Sequence, residues 1–251
     1  MSGIRTANAR EPNAQFHETS RARGQSNLTW LERALEQLPK ELQSGPSLLL
    51  LGGRDPISFR LREAQSHVRH DLTPSYWSHV VLLERSGPTL SALEAWEISL
   101  NPAHGFGYPP KTNGIQRADL NVYADADRFP NVSVVHVPLE LHKVKAARER
   151  FMSQRAVVDA VDLLTEWLSY CWATGRKLNP LLEGHGLPSA AMVEVIMGAA
   201  GFELTPSIAS RSSSPEAIWQ SARWWHEYHG TDSRQPLSGT YHTSHSLCMV
   251  D

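Results

Sequence analysis

The sequence predicts an α+β fold in which an antiparallel sheet packs against helices. Short apolar runs separated by turn residues fill residues 47–100, a further strand pattern covers 131–137, and helical periodicity dominates from residue 141 onward. Strands that precede helices, rather than alternating with them, are typical of α+β proteins. The 251 residues, 41% of them hydrophobic, can bury a full core, so we expect a single domain over residues 27–230.

The two ends of the chain are predicted to be appendages of that domain. Residues 1–26 are polar and show neither a strand period nor a helix period, which indicates a disordered arm. Residues 231–251 lack a regular pattern as well and predict an irregular C-terminal tail.

The first half of the domain contains one helix and three strands by pattern. Thr29 and Glu32 form a capping box ahead of periodic apolar residues, which predicts that a helix starts there. The apolar run 47–53 ends in two glycines and predicts a buried strand. Residues 78–84 and 91–100 flank a Ser-Gly-Pro turn and predict a hairpin or meander.

The second half is predicted to be mainly helical. Residues 131–137 have the strongest strand propensity of the chain, and residues 141–173 then show a helical period that fits one long helix or two. A short amphipathic helix is expected over 188–201. Ser214 followed by Pro215 predicts the start of a last helix, because Ser is a preferred N-cap and Pro a preferred first helical residue.

Charge and cysteine content exclude several classes of protein. The 24 basic and 26 acidic residues give a net charge of −2, which provides no field for binding nucleic acid. Two cysteines, Cys171 and Cys248, are too few for a secreted disulfide scaffold. We find no secretion signal and no run long enough to span a membrane, so we expect a cytoplasmic protein.

Three residues form a candidate catalytic set. His79 begins an apolar strand, Glu94 lies on the following strand, and Ser189 lies at the start of the short helix. A helix N-terminus supplies backbone N–H donors to a developing oxyanion, an imidazole can act as base, and a carboxylate can orient that imidazole. The set therefore predicts nucleophilic acyl chemistry.

The order of these motifs resembles the circularly permuted papain-like amidases of the YiiX and YaeF type, which are related to the NlpC hydrolases. The resemblance rests on three segments that follow one another in the chain: Trp77-Ser-His-Val-Val-Leu-Leu83, Leu93-Glu-Ala95, and the helix that carries Met192-Val193 and ends at Ala199-Ala-Gly201. It implies a permuted papain-like fold in which His79 is the base, Glu94 the third polar group and position 189 the nucleophile.

The nucleophile position departs from that family because a serine stands where the family has cysteine. A serine stays protonated and needs a base during attack, unlike a thiolate. Ser189 is therefore a true serine nucleophile, a natural loss of activity, or a Cys-to-Ser substitution introduced to trap a complex. If the resemblance to the family is set aside, the simpler interpretation is that Ser189 is the N-cap of the helix.

Two hypotheses on function follow. The first is a hydrolase or acyltransferase of amide, thioester or ester bonds that acts on a small-molecule, peptide or lipid-amide substrate and needs no cofactor. The second is a catalytically silent binding protein on the same fold, which contacts a protein partner through the N-terminal arm or the Trp-rich C-terminal helix.

A zinc site in the C-terminal region is a weaker alternative. The segment His226-Glu-Tyr-His229 places two histidines three residues apart, whereas the metalloprotease motif requires four. These two residues, together with His242, His245 and Cys248, have the right side chains for zinc. We favour the simpler interpretation of a solvated, aromatic-rich helix end, and we predict no metal.

Overall fold

The computed structural model of the protein describes residues 16–38, 44–87, 89–100, 112–154, 158–173, 177–229 and 237–244. Within these ranges the strands are Phe16–Glu18 (β1), Gly45–Gly52 (β2), His79–Arg85 (β3), Leu93–Glu97 (β4), Gln116–Arg117 (β5), Asn131–His136 (β6) and Ser238–His242 (β7). The helices are Asn27–Glu36 (α1), Pro56–Ala64 (α2), Leu141–Ser153 (α3), Ala160–Cys171 (α4), Pro188–Ala200 (α5) and Pro215–His229 (α6).

The described strands form one open sheet in the order β1-β7-β6-β2-β3-β4-β5. The sheet packs against the six described helices, which confirms the α+β class. Neighbouring strands are antiparallel except for β1 and β7, which run parallel. The sheet is thus mixed, and the prediction of a wholly antiparallel sheet is wrong at this edge.

Both predicted appendages contribute strands to that sheet. β1 lies within the arm predicted over residues 1–26, and β7 lies within the tail predicted over 231–251. β7 pairs with β6 in the sheet, and β1 pairs with β7 at its edge. The predictions of a disordered arm and an irregular tail are wrong for these segments, because pairing between distant segments leaves little trace in local sequence.

Alternate residues of the central strands face two separate cores. On one face, Leu49, Val81 and Val134 pack with α1 and with Phe129. On the other face, Leu50 and Leu82 pack with the remaining helices. Because side chains alternate along a strand, continuous apolar runs such as that of β2 bury both faces.

α5 is the innermost helix. It contacts α3, α4, α6 and β3, and it is buried on most of its surface. A helix that is apolar all round belongs in the interior of a protein. Its burial brings its first turn to the end of the sheet where β3 begins.

The helix boundaries correct two capping predictions. α1 begins three residues earlier than the predicted capping box, because Ser26 and not Thr29 is the N-cap, and the Ser26 hydroxyl accepts the N–H of Thr29. At α5 the N-cap is Leu187, so Ser189 is the second helical residue and does not cap the helix. None of the described helices is long and apolar enough to cross a membrane.

Candidate functional site

A cavity of about 80 Å³ lies where β3 begins, β4 ends and α5 begins. His79, Ser189 and the hydroxyl-bearing residues Ser78, Ser99 and Tyr123 line it together. Its apolar walls include Ile57, Leu61, Ile98, Leu100, Phe129 and Leu187. Two of the three residues in the predicted catalytic set therefore share one cavity.

His79 is placed by the antiparallel pairing of β3 with β2. Its Cα lies opposite Leu51, and Ser78 just before it donates its backbone N–H to the Leu51 carbonyl at 2.8 Å. The Ser78 hydroxyl also accepts the N–H of Gly53 at 3.1 Å. These bonds fix the start of β3, and with it the position of the imidazole, whose side chain is 14% exposed.

Glu97, the last residue of β4, is the carboxylate that contacts His79. Its Oε2 lies 2.9 Å from Nε2 of His79 and also accepts the hydroxyl of Tyr123 at 2.5 Å. Oε1 accepts the side-chain amide of Gln116 at 3.1 Å. With a carboxylate on Nε2, the proton of a neutral imidazole belongs on Nε2, so Nδ1 is the nitrogen that can act as base.

The environment of Glu97 favours its charged form. Burial raises the pKa of this carboxyl, but the hydrogen bonds from His79, Tyr123 and Gln116 outweigh burial and hold the pKa below its ordinary value. Burial, followed by the charge of Glu97, raises the pKa of Tyr123 well above its ordinary value. Glu97 therefore accepts and Tyr123 donates at neutral pH.

Glu94 does not contact His79, so its predicted role as the orienting carboxylate is wrong. It lies at the other end of β4, opposite Glu84, and binds Arg117 at 2.5 Å and Lys145 at 3.7 Å. Glu97 lies three positions after Glu94, which puts their side chains on opposite faces of the strand and about 10 Å apart along it.

The start of α5 leaves hydrogen-bond donors beside the cavity. Pro188 has no N–H, and the Leu187 side chain makes no capping bond, while Ala191 donates its N–H to the Leu187 carbonyl. The N–H groups of Ser189 and Ala190 have no acceptor within the helix, as at any helix start. They carry the positive end of the helix dipole and can stabilise a negative oxygen.

A tight loop fixes the position of this first turn. Gly186 donates its N–H to the Arg211 carbonyl, and its own carbonyl accepts the indole N–H of Trp167 at 2.8 Å. A Cβ on Gly186 would lie 2.3 Å from the carbonyl oxygen of Ser213, so no other residue fits without a shift. Leu187 continues the contact by donating to that same carbonyl.

The Ser189 hydroxyl makes no hydrogen bond with any residue that the structure describes. The residue is 3% exposed, so this hydroxyl is neither bound in a cap nor widely open to solvent. A bond between Ser189 and His79 is not formed in this structure. Bonds between nucleophile and base are often long without substrate, so a reaction requires the two groups to approach each other.

Cys171 offers no alternative nucleophile. It lies on α4 within the core, where it packs as a small apolar side chain. Burial raises the pKa of its thiol to about 12, so it stays protonated at neutral pH.

The weaker zinc alternative is not tested by the structure, because only one of its five residues, His242, has a described side chain. His245 and Cys248 lie outside the described residues, and so do the side chains of His226 and His229. His242 lies on β7 and accepts the backbone N–H of Arg21 at its Nδ1.

A different group, Glu166, Glu183 and His185, has ligand atoms within 4.8 Å of one another. Glu166 contacts the imidazole of His185, and its other oxygen lies 3.9 Å from Nζ of Lys177. Glu166 thus has both a lysine and a histidine as neighbours. It adjoins a second cavity, and Ser189 and His79 do not line that cavity.

Sequence reasoning missed Glu97 and Tyr123. Glu97 carried a signal, since it is a second carboxylate on the same predicted strand, but the family motif favoured Glu94. Tyr123 lies on a short 3-10 helix, Leu120–Tyr123, where no sequence motif indicated a functional residue.

Comparison of the chain with protein-family models, curated proteins and solved structures finds no match.

Proposed function

We propose that this protein is a papain-like hydrolase or acyltransferase of amide, thioester or ester bonds, with Ser189 as nucleophile. One observation carries the proposal: the His79–Glu97 pair and the first turn of α5, with Ser189 on it, line the same cavity. A nucleophile, a base held by a carboxylate, and N–H donors at a helix start are the parts that acyl transfer needs.

The first step forms an acyl-enzyme. The Ser189 oxygen attacks the substrate carbonyl carbon while Nδ1 of His79 takes the hydroxyl proton. The N–H groups of Ser189 and Ala190 stabilise the negative oxygen of the tetrahedral intermediate. His79 then passes the proton to the leaving amine, thiol or alcohol as the bond to the carbonyl carbon breaks.

The second step frees the enzyme. A water molecule, or another acceptor with an O–H or N–H group, gives its proton to His79 and attacks the ester carbon on Ser189. Collapse of the intermediate returns the proton from His79 to the serine oxygen. Glu97 keeps its negative charge throughout and stabilises the imidazolium that forms twice in each cycle.

The arrangement of elements supports the permuted papain-like form of the fold. The strand that carries the base precedes the helix that carries the nucleophile in the chain, and that helix is buried against the sheet. The permuted papain-like amidases have the same order, and the motifs at His79 and Ser189 resemble theirs. The orienting carboxylate is reassigned from Glu94 to Glu97.

The lining of the cavity supports an acyl donor that carries apolar groups. About half of the lining residues have apolar side chains, and Asp55, His79 and Arg128 line the cavity together with several hydroxyl-bearing residues. Ligand sites of this kind bury apolar groups and use a few polar atoms for orientation. A small-molecule, peptide or lipid-amide acyl donor fits this description.

Covalent labelling tests the proposal. The protein, Ser189→Ala and Ser189→Cys are each treated with a fluorophosphonate probe and with a chloromethyl ketone, and labelled peptides are located by mass spectrometry. We expect the fluorophosphonate to label the protein at Ser189 and to leave Ser189→Ala unlabelled.

The Ser189→Cys variant separates the two hypotheses. Labelling of the cysteine variant alone by the ketone would indicate a thiol site silenced by serine, and thus the binding protein. Labelling of neither form would contradict a reactive nucleophile at position 189. Thermal unfolding of each variant controls for loss of the fold.

A further inference from the structure

Tyr123 contacts both members of the His79–Glu97 pair. Its hydroxyl lies 2.5 Å from Oε2 of Glu97, and its ring lies 5.8 Å from the His79 ring with the two planes tilted by 31°. Phe129 packs edge-on against the same tyrosine ring at 5.1 Å. One side chain thus limits both the rotation of the imidazole and the position of the carboxylate.

The direction of the hydrogen bond from Tyr123 is fixed by its surroundings. Tyr123 is 7% exposed, and its raised pKa keeps it protonated at neutral pH. A carboxylate oxygen can only accept, so the phenolic hydrogen of Tyr123 lies in its bond to Oε2 of Glu97. Tyr123 is therefore a hydrogen-bond donor to the carboxylate and takes no part in moving protons.

The same oxygen of Glu97 accepts from both Tyr123 and His79, and Gln116 binds the other oxygen. A buried carboxylate stays charged only when such donors replace the water it has lost. The charge on Glu97 in turn holds the imidazole proton on Nε2 and leaves Nδ1 free as base. Loss of one donor should weaken this selection of the tautomer.

We propose that Tyr123 is a positioning residue that holds Glu97 charged and His79 in the orientation that presents Nδ1 as the base. Its effect on reaction rate rests on the proposed function, whereas its effect on the tautomer of His79 does not. Tyr123 does not touch the reacting atoms and acts only through its two neighbours.

The variant Tyr123→Phe removes the hydroxyl and retains the ring that packs on His79 and Phe129. We expect it to slow labelling of Ser189 by about 10- to 100-fold, since hydrogen bonds to charged groups are worth about 1.5–3 kcal/mol. We also expect the acid limb of the pH–rate profile to move to higher pH, because this hydrogen bond lowers the pKa of Glu97.

Tyr170→Phe is the matched control. Tyr170 is partly buried, packs on Trp167 and lies under the guanidinium of Arg60, and it does not line the cavity. This variant should leave both the labelling rate and the acid limb unchanged, while its effect on thermal stability sets the scale for loss of a tyrosine hydroxyl.

Nitrogen-15 NMR of the His79 ring gives a readout that does not need a reaction. The neutral imidazole should carry its proton on Nε2 in the wild type, and the fraction with the proton on Nδ1 should rise in Tyr123→Phe. Unchanged tautomers and an unchanged acid limb in Tyr123→Phe would overturn the inference, even if labelling of Ser189 is strong. A changed tautomer without any labelling would uphold it and contradict the proposed function.

Discussion

Two buried carboxylates on neighbouring strands, Glu84 and Glu97, have different roles in this protein. Glu84, near the end of β3, binds both Nε and Nη2 of Arg148, at 2.7 and 3.3 Å, and the guanidinium lies 3.9 Å over the ring of Trp96. Glu97 instead binds an imidazole, a phenol and an amide beside a cavity. A guanidinium is always charged, so the first pair holds helix and sheet together. An imidazole can exchange its proton, so the second pair can take part in chemistry.

Two histidines differ in the same way. His136 lies on β6 and accepts a hydrogen bond from the Arg85 guanidinium at Nδ1, at 2.9 Å. Burial and then the charge of Arg85 lower the pKa of His136 to about 3. His79 faces a carboxylate instead of a cation. Burial and a cationic partner together keep His136 neutral, whereas the partner of His79 is a carboxylate beside a cavity.

Substitution of Glu97 should have the largest effect, and that effect is on the rate at which Ser189 is labelled. We expect Glu97→Gln to slow labelling of Ser189 by about 10²–10⁴-fold, because an amide can stabilise the wrong tautomer of His79 and cannot balance an imidazolium. Rates of labelling by the fluorophosphonate measure the effect. Glu94→Gln is the matched control on the same strand. It should leave the labelling rate of Ser189 unchanged and lower the free energy of unfolding by less than about 1 kcal/mol. Equal rates for Glu97→Gln and Glu94→Gln would contradict the reassignment.

At Glu84 the expected effect is on stability. Glu84→Gln leaves Arg148 buried without a carboxylate, which should lower the free energy of unfolding by about 3–5 kcal/mol. Urea denaturation measures the loss. The double variant Glu84→Leu with Arg148→Met removes both charges and should recover most of that loss. If Glu84→Gln instead slowed labelling in folded protein, the contrast between the two carboxylates would fail.

The lowered pKa of His136 leads us to expect that the protein loses stability in acid. The ordinary pKa of 6.5 falls to about 3 in the folded state, so between these values the unfolded chain binds a proton that the folded chain does not. Stability should therefore fall as the pH drops from 6.5 towards 3, with a slope contribution of up to about 1.4 kcal/mol per pH unit. Denaturation at several pH values, with His136→Gln for comparison, checks this. If the free energy of unfolding depends on pH equally in the wild type and in His136→Gln, then His136 does not cause the loss of stability.

The smallest expected effect concerns the loop before α5. Gly186→Ala places a methyl group against the Ser213 carbonyl and should cost about 1–3 kcal/mol in stability, while also displacing Ser189 and slowing its labelling. Gly198 lies within α5, where an added Cβ meets no atom within 4 Å, so Gly198→Ala should stabilise the protein by about 0.5–1 kcal/mol. Similar thermal shifts for both variants would show that the loop does not fix the helix start.

The sequence predicted the local elements well and the long-range pairing poorly. Apolar runs located β2, β3, β6 and α5, because the apolar pattern of a buried strand or helix depends on neighbouring residues. β1 and β7 escaped prediction, since their pairing joins residues more than 200 positions apart. The same limit explains the choice of Glu94 over Glu97. Which carboxylate reaches His79 depends on strand register and face, and a motif of three residues does not encode either.

The identity of the residue that becomes acylated tests the proposed mechanism most directly. The protein is incubated briefly with an activated ester, quenched in acid and digested, and the modified residue is identified by mass spectrometry. We expect an acyl group on Ser189 in the wild type and in Glu94→Gln, and much less acylation of Ser189 in Glu97→Gln and His79→Ala. Acylation elsewhere in the chain, or at Ser189 to the same extent in all four proteins, would contradict the proposed mechanism.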